Sequence, residues 1–332
     1  MVLWSGPAAA MSEPDFFAFS IFVLFLSICV PLAIERTCIR PLRRRFPPSL
    51  ASAPLKPGSG GNGGNSAGSG SGGTIASFCV ADALTLVGSS APIIGMMGSL
   101  LFTIRFNFHS TVRVEGALCN PHGIPTPQLV PSISATIGGH APQRYIWRIC
   151  IAMMVTVRIF EGFVQYGHYR AVASANGHGD KLDALNGTVL ATHTLQQFCL
   201  ALLSYVSSDD YFPAHEAGFV GFAVFNVLHM ISTMLLLRRC HGAALHKAPR
   251  VSFAWRWRKL CMGVNFALIA VMPYLYLRHE RWCEPYLYSL FCVCEWLFVA
   301  SNIAFLCAIY VDAVNWRLTV TDQTNELAGK AF

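Results

Sequence analysis

The stretch PSISATIGGHAPQRYIWR, residues 131–148, separates an N-terminal part with two apolar segments from a C-terminal part with five. It begins as a small, polar, glycine-containing loop and ends as the first turn of an apolar helix. Arginine side chains at the end of an apolar helix favour the interface between lipid and water. The stretch therefore predicts a boundary between water and bilayer, with Gln143, Arg144 and Arg148 at the interface.

The composition indicates a membrane protein with several crossings. Of the 332 residues, 54% are hydrophobic and only 12% are charged, whereas a soluble chain carries about 25% charged residues. The mean hydropathy is +0.47. This balance predicts an all-α fold, a polytopic transmembrane helix bundle with a six-helix core and an additional N-terminal membrane helix.

The net charge of +7 would favour a nucleic-acid partner if the protein were soluble. Here the basic residues concentrate in loops beside apolar segments, as membrane topology requires, so we predict no nucleic-acid partner. The twelve cysteines are scattered, mostly inside apolar segments, and they form no CxxC pair and no zinc-ligand spacing. The sequence also lacks an H-E-x-x-H motif, and no metal site is predicted.

Seven apolar segments come close to the ~20 residues that a crossing requires. The first, residues 16–34, is followed by five arginines, which predicts a membrane anchor with its N-terminus outside the cytosol; a segment that does not span is the alternative. The predicted domains are an N-terminal extension 1–45, a flexible Pro-rich and Gly/Ser-rich linker 46–73, a membrane domain 74–312 and a cytosolic tail 313–332. The six core spans are predicted at residues 79–104, 145–168, 184–205, 215–237, 259–278 and 286–310.

The charges of the loops predict the topology. Residues 238–259, between the fourth and fifth core spans, contain seven Lys and Arg residues, which favours the cytosolic side. Because successive spans cross in opposite directions, starting from this cytosolic loop places the loops 105–144, 207–216 and 278–284 in the lumen. The only N-x-S/T sequon, at Asn186, falls in a predicted cytosolic loop, so it should carry no glycan.

Two cysteines, Cys119 and Cys283, are the only ones in the predicted lumenal loops. A lumenal compartment permits disulfides. The sequence therefore suggests a Cys119–Cys283 bridge that ties the long loop to the last hairpin, with two free thiols as the alternative.

Five core spans carry polar side chains near their middle. Arg158, Glu161 and Gln165 follow each other at spacings that put them on one helical face. Two explanations stay open: contacts that join helices, with Arg158 paired to Glu161 or Glu295, or a polar cavity that admits a lipid headgroup. The other members of this set are His193, Gln196, Gln197, Asn226, His229, Asn265 and Asn302.

A second polar set lies at the predicted lumenal edge. Its basic members act either as snorkelling anchors or as a phosphate-binding rim, because the guanidinium group suits bidentate phosphate contacts. His215 is a candidate general base, and Glu284 is its expected partner, since adjacent helical residues such as Glu216 do not face each other. The full set is Arg144, Arg148, His215, Glu216, Arg278, His279 and Glu284.

The pattern S-x-x-I-G-G-x-x-P-Q-R-Y-x-W-R at residues 134–148 resembles the post-GPI-attachment-to-proteins factor two family. That family is related to the FGF-receptor-activating and damage-regulated autophagy modulator membrane proteins. The resemblance covers about residues 79–312, and the N-terminal segment, the linker and the tail lie outside it. It continues through Arg158, Gly167-His168-Tyr169, Tyr205-Val206-Ser207-Ser208, His215-Glu216, His229-Met230, Asn265-Phe266, Arg278-His279, Cys283-Glu284, Glu295 and Asn302.

The resemblance implies a multi-pass protein of the Golgi apparatus or endoplasmic reticulum that acts in fatty-acid remodelling of GPI anchors, at the reacylation of lyso-GPI with a saturated sn-2 chain. The implied partners are the GPI lipid or GPI-anchored proteins, the membrane and other GPI-remodelling enzymes. No cofactor is predicted, and no motif identifies the acyl donor. Two hypotheses stay open: an O-acyltransferase, or a non-catalytic lipid-binding or trafficking subunit that presents GPI to a separate acyltransferase.

The GPI headgroup that the resemblance implies is lumenal and anionic, and on that basis we predict a role for each of the two polar sets. A histidine of a catalytic protein would deprotonate the sn-2 hydroxyl for attack on an activated acyl donor; the candidates are His215 and His229. Acyl-CoA is cytosolic while the headgroup is lumenal, so either the donor is another lipid or a path crosses the bundle. The predicted headgroup contacts are Arg144, Arg148, Arg278 and His279. The predicted cavity residues are Arg158, His229, Glu295 and Asn302.

Overall fold

A computed structural model describes residues 74–112, 126, 128–175, 179–242, 245, 248–313 and 317–321. The predicted anchor at residues 16–34, the linker 46–73 and Cys119 lie outside these described residues. The helical elements are α1 (Val80–Phe102), a π-helical turn (Thr103–Asn107), α2 (Phe108–Thr111), α3 (Ile133–Gly138), α4 (Gln143–Ala175), α5 (Gly179–Tyr205), α6 (Ser208–His241), α7 (Pro249–Trp282), α8 (Leu287–Cys307) and α9 (Ile309–Ala313). The strands are β1 (Thr74–Cys79) and β2 (Arg317–Thr321).

The six long helices coincide with the six predicted core spans, which confirms the all-α membrane bundle. Among the described residues, five helical stretches are both long and apolar enough to cross a bilayer, and α5 is not one of them. Its 27 residues reach far enough, since a helix of that length extends about 40 Å. His193, Gln196 and Gln197 lower its hydropathy, and all three are buried inside the bundle.

A short antiparallel ribbon, which the sequence analysis did not predict, joins the two ends of the six-helix core. Strand β1 runs directly into α1, and β2 follows α9; Cys79 lies opposite Arg317 in the register. The pairing puts the start of the first long helix and the end of the last one at the same end of the bundle. An even number of crossings requires this arrangement, and it brings part of the predicted tail back onto the core.

Helix α7 begins ten residues earlier than its predicted span, which started at residue 259. Pro249 stands in the first helical turn, where its missing N–H costs no intrahelical bond. Arg258, predicted to lie in a loop, is instead buried in α7 and donates to Asp312 Oδ2 at 2.6 Å. Arg250 donates to the carbonyl of Asp312 at 2.8 Å. These contacts neutralise the buried arginine and tie α7 to α9.

The polar side chains in the middle of the bundle bond to one another across helices. Asn226 of α6 accepts from Gln196 of α5 at 3.2 Å and from Asn302 of α8, and it donates to Asn265 of α7 at 2.7 Å. Asn265 in turn donates to Ser301 at 2.9 Å. Four helices are therefore joined by amides whose partners replace water, as buried polar groups in a membrane require.

Arg158 forms a buried ion pair with Glu161, one of the two partners that the sequence left open. Its Nη1 atom lies 2.7 Å from Glu161 Oε2, and its side chain is 1% exposed. Its Nη2 atom also donates to the carbonyl of Gly88 at 3.2 Å and to Ser89 Oγ at 3.3 Å. The pair therefore joins α4 to α1, and Glu295, the alternative partner, makes a different contact at the end of the bundle.

The sequon at Asn186 lies inside α5 rather than in a loop. Its side chain is 2% exposed and its Nδ2 atom donates to the carbonyl of Tyr166 at 2.8 Å. Glycosylation requires that nitrogen to be accessible, so we expect no glycan on either side of the membrane. Endoglycosidase treatment should leave the gel mobility unchanged, and a shift that disappears in Asn186→Gln would contradict the burial of this side chain.

Candidate lipid cavity and acyl-transfer site

The segment Pro131–Gly138 covers one end of the bundle and is held there by helix α8. Ser132 caps α3, accepting from the backbone N–H of Ala135 at 3.0 Å. Glu295 Oε2 accepts from the backbone N–H of Ile133 at 3.0 Å, and Trp296 Nε1 donates to the carbonyl of Pro131 at 3.0 Å. Two consecutive residues of α8 thus fix where α3 begins.

The residues just before this segment are anchored to α8 as well. Gln128 Oε1 accepts from both the backbone N–H and the hydroxyl of Ser289, each at 2.8 Å. Ser289 Oγ accepts from the backbone N–H of Leu129 at 2.8 Å. Part of the predicted lumenal loop is therefore a structured cover rather than a free loop.

A narrow cavity of about 50 Å³ lies beneath α3 between the long helices. Most of its wall is apolar, with Trp147, Ile151 and Met154 contributed by α4. Trp147 and Arg158 both line it and lie eleven residues apart, about 16 Å along a helix axis. Mostly apolar walls with a few polar points are typical of ligand pockets. The polar lining residues are Ser134, Arg158, Gln197, Glu295 and Asn302.

Ser134, which lines this cavity, is hydrogen-bonded to His215, which lies behind the lining. Ser134 Oγ lies 3.0 Å from His215 Nε2, although the two residues are 81 positions apart. His215 Nδ1 lies 2.8 Å from the carbonyl oxygen of Val206. A carbonyl only accepts, so Nδ1 carries the proton, and in the neutral ring Nε2 accepts from the serine hydroxyl.

The expected carboxylate partner of His215 is not found. Glu284 accepts from Arg278 Nε at 2.9 Å, and Glu216 is exposed on the outside of α6. The carbonyl of Val206 takes that position instead. A backbone group could not be foreseen from residue types, because every residue carries one.

Arg144 and Arg148 lie together at the edge of the cover, and both contact Asp210. Their Nη2 atoms are each 3.3 Å from one of its carboxylate oxygens. Arg144 Nε also donates to the carbonyl of Gly138 at 2.6 Å, and Arg148 Nη2 to that of Tyr205 at 2.7 Å. Asp210 is itself fixed by a capping box with Ser207 at the start of α6. We call Arg144, Arg148 and Asp210 the arginine rim.

The other two predicted headgroup residues lie near the end of α7 and are not among the cavity-lining residues. Arg278 donates to Glu284 and, at 2.8 Å, to the hydroxyl of Tyr274. His279 is fully buried, with its ring centroid 5.1 Å from that of Tyr288. The contacts described for Arg278 and His279 are therefore with α7, α8 and the turn between them, and not with the arginine rim.

His229, the second candidate base, is buried away from the cavity lining. Its ring centroid lies 4.7 Å from that of His193 and 6.3 Å from that of Phe305. Three of the four predicted cavity residues do line one cavity, namely Arg158, Glu295 and Asn302.

Ser134 and Asp210 were not predicted from the sequence as parts of this site, whereas Gln197 belongs to the predicted mid-membrane polar set and does line the cavity. Ser134 is the first residue of the quoted motif pattern, so a signal for it was present, but its chemistry depends on a histidine in another helix. Asp210 stood in a predicted lumenal loop with no indication that two arginines would share it.

Cys283 ends α7 in a left-handed conformation, with φ +48°, and it is disulfide-bonded. Cys119 lies outside the described residues, so its pairing with Cys283 stays a prediction. Such a bond would tie the hairpin between α7 and α8 to the loop that precedes the cover.

Helices long and apolar enough to cross a membrane several times, with a mostly apolar cavity beneath a hydrogen-bonded cover, define a multi-pass membrane protein with an internal apolar cavity. The family model for the Frag1/DRAM/Sfk1/Cwh43P N-terminal domain matches residues 82–313. The chain belongs to the post-GPI attachment to proteins factor 2 family within this group, which confirms the resemblance noted in the sequence.

Similar proteins with curated names come from several animals. "Acyltransferase PGAP2" of Xenopus tropicalis is 30% identical over 231 residues, which cover 70% of this chain and 86% of that protein. "Post-GPI attachment to proteins factor 2" of Caenorhabditis briggsae is 30% identical over 58% of this chain and 73% of that protein. The protein of that name in Drosophila melanogaster is 26% identical over 69% of this chain and 84% of that protein. No solved structure matches the chain.

Proposed function

We propose that this protein acts in GPI-anchor lipid remodelling and transfers a saturated acyl chain to the sn-2 hydroxyl of lyso-GPI. The observation that carries the proposal is the mostly apolar cavity beneath α3, whose lining includes Ser134, with His215 hydrogen-bonded to that serine. Apolar walls suit an alkyl chain, and a neutral histidine with an accepting Nε2 suits proton transfer from a hydroxyl. The names of the relatives, which contain "acyltransferase" and "post-GPI attachment", support this reaction and this lipid.

The acyl chain lies along α4, from Trp147 at the covered end toward Arg158 deeper in the bundle. Arg158 is already paired with Glu161, so it closes the inner end of the cavity without presenting an uncompensated charge. Asn302 is likewise bonded to Asn226. Arg158 and Asn302 therefore present paired groups to the cavity, whereas Gln197 Oε1 and Arg158 Nε are buried there without a hydrogen-bond partner among the described residues. Chain packing falls to the apolar wall.

The arginine rim receives the headgroup. It presents guanidinium donors beside a carboxylate acceptor, which suits a headgroup that carries both phosphate and sugar hydroxyls. The three charges of Arg144, Arg148 and Asp210 sum to one positive charge. Arg278 contributes from the hairpin between α7 and α8 in this proposal, as the headgroup is larger than the rim. His279 has no part in it, because its side chain is fully buried.

The proposed setting is the Golgi or endoplasmic-reticulum membrane, with the cover and the arginine rim on the lumenal side. The partners are then lyso-GPI or GPI-anchored proteins and the enzymes that act before and after this step. A protease-protection assay tests on which side of the membrane the cover lies. An epitope tag inserted in the loop before the cover should be protected from external protease in sealed vesicles. Digestion of the tag would contradict the lumenal placement.

A pair of adjacent methionines in α4 provides a test of the cavity. Met154 is 5% exposed and lines the cavity, whereas Met153 is 52% exposed on the outer face. Met154→Trp should fill the space and reduce transfer of long chains at least ~10-fold while sparing short ones, since overpacked cores cannot yield freely. Met153→Trp, the matched control, should leave chain-length preference unchanged.

The assay uses the purified full-length protein in liposomes with lyso-GPI and phospholipids that carry a labelled acyl chain of defined length. Labelled two-chain GPI is the expected product. Equal chain-length profiles for the two methionine variants would contradict the cavity assignment. Binding of lyso-GPI without any product would overturn the catalytic proposal in favour of a non-catalytic subunit that presents GPI to a separate acyltransferase.

A further inference from the structure

We propose that Ser134 is the nucleophile of this site and carries the acyl chain as a covalent ester between two half-reactions, with His215 as its general base. The inference rests on the proposed acyl transfer and deepens it. It replaces direct attack by the lyso-GPI hydroxyl on the donor with two successive transfers through one serine.

The hydrogen bonds of the pair have the direction that activation of a nucleophile requires. Val206 holds the proton of His215 on Nδ1, so Nε2 faces Ser134 Oγ as the acceptor at 3.0 Å. A serine hydroxyl is a weak nucleophile until an adjacent base takes its proton, and the base must itself be oriented by a third group. The backbone carbonyl of Val206 provides that orientation here.

Ser134 is free of the structural task that its neighbour performs. Ser132 caps α3 with its hydroxyl, while Ser134 is half-buried on the wall of the cavity. His215 is only 6% exposed. The base is therefore shielded from bulk water, which limits hydrolysis of an acyl ester, and Ser134 belongs to the lining of the space where an acyl chain would lie.

An interruption of α6 precedes His215. Pro213 lacks the N–H that the carbonyl of Asp209 would otherwise receive, and Tyr211 has non-helical backbone angles, φ −159° and ψ 95°. The first turn, which is fixed to the arginine rim through Asp210, is thus separated from the turn that carries His215. The rim and the base are placed by two differently directed parts of one element.

The chemistry balances without a cofactor. Ser134 Oγ attacks the carbonyl carbon of an acyl oxygen ester of a membrane phospholipid, and its proton passes to His215 Nε2. The bond from that carbon to the glycerol oxygen breaks, and the leaving oxygen takes the proton to give a lysophospholipid. The sn-2 hydroxyl of lyso-GPI then gives its proton to Nε2 and attacks the acyl-serine, and Ser134 Oγ leaves with the proton returned.

This donor removes a difficulty of the topology. A phospholipid of the same leaflet as lyso-GPI reaches the covered end of the bundle from the membrane, whereas acyl-CoA would have to cross it. Donor and acceptor then use the same opening in turn, which a two-step transfer through one serine permits.

The experiment incubates the purified full-length protein in liposomes with phospholipid that carries a labelled acyl chain, without lyso-GPI. Mass spectrometry should find the label on the peptide that contains Ser134, and addition of lyso-GPI should discharge it into product. Ser134→Ala should abolish labelling and lower product formation at least ~100-fold, in the range that base and nucleophile removal costs. Ser174→Ala, an exposed serine of α4, is the matched control and should retain both.

A second variant distinguishes loss of the nucleophile from loss of folding. Ser134→Cys should form an acyl thioester that neutral hydroxylamine cleaves, whereas the ester of the unaltered protein resists it. Product formed by Ser134→Ala at the unaltered rate, or a label on another residue, overturns the nucleophile and leaves the proposed function standing. If the unaltered protein forms neither label nor product with phospholipid or acyl-CoA, both the nucleophile and the catalytic function fail.

Discussion

Arg158→Met is expected to destabilise the folded protein by about 3–5 kcal/mol, because it leaves Glu161 as an uncompensated buried charge. Glu161 lies 2.7 Å from Arg158 Nη1. The substitution also removes the donors to Gly88 and Ser89, and with them two polar contacts between α1 and α4. We expect little folded protein to survive detergent extraction.

The measurement is the unfolding temperature of the purified protein in detergent, monitored by the loss of the folded peak in size-exclusion chromatography. Arg170→Met is the matched control: Arg170 lies on the same helix, but its side chain is 64% exposed and 3.8 Å from Asp183. An exposed pair of this kind contributes about 0–1 kcal/mol. Similar unfolding temperatures for the two variants would contradict a buried, structural ion pair.

A double variant separates the ion pair from the side chain volume. Arg158→Met with Glu161→Gln removes both charges at once, and buried ion pairs replaced together by neutral residues often cost little. We expect the double variant to recover most of the lost stability. A double variant as unstable as the single one would mean that the contacts of Arg158 with α1, rather than its charge, hold the helices together.

Glu295→Ala is expected to lower acyl transfer by a factor on the order of 100 while reducing stability by only about 1–3 kcal/mol. The carboxylate accepts from the buried backbone N–H of Ile133, and an unsatisfied buried donor costs about that much. Ser134 follows directly in the chain, so a loosened start of α3 displaces it from His215. Displacement by about 1 Å can cost 10²-fold in rate.

Glu295→Gln keeps an oxygen that can accept from Ile133 and should lose much less activity than Glu295→Ala. Leu297→Ala, on the same helix with a 51% exposed side chain, serves as the control for truncation and should behave as the unaltered protein does. Unfolding temperature and transfer rate are measured for all three. Loss of activity in Glu295→Gln equal to that in Glu295→Ala would point to the charge of Glu295 and contradict a positioning role.

Within single helices, the sequence predicted the structure well. The apolar segments located all six long helices, and the spacing of three residues put Arg158 and Glu161 on one helical face, where they form an ion pair. The same approach failed at the start of α7, where Arg258 lies in a helix because Asp312 neutralises it. A charged run predicts a loop only when its charges have no partner in the fold.

Length, hydropathy and helical period are local properties of the chain, and they were enough to predict a multi-pass helical membrane protein; the motif at residues 134–148 pointed to its family. Which polar residues meet follows only from the fold: Ser134 with His215, Asp210 with two arginines, and Glu295 with the start of α3. In a membrane bundle the outward faces are as apolar as the interior, so hydropathy does not reveal which faces pack together. That choice depends on packing and hydrogen bonds between helices far apart in the sequence, and it decided the site.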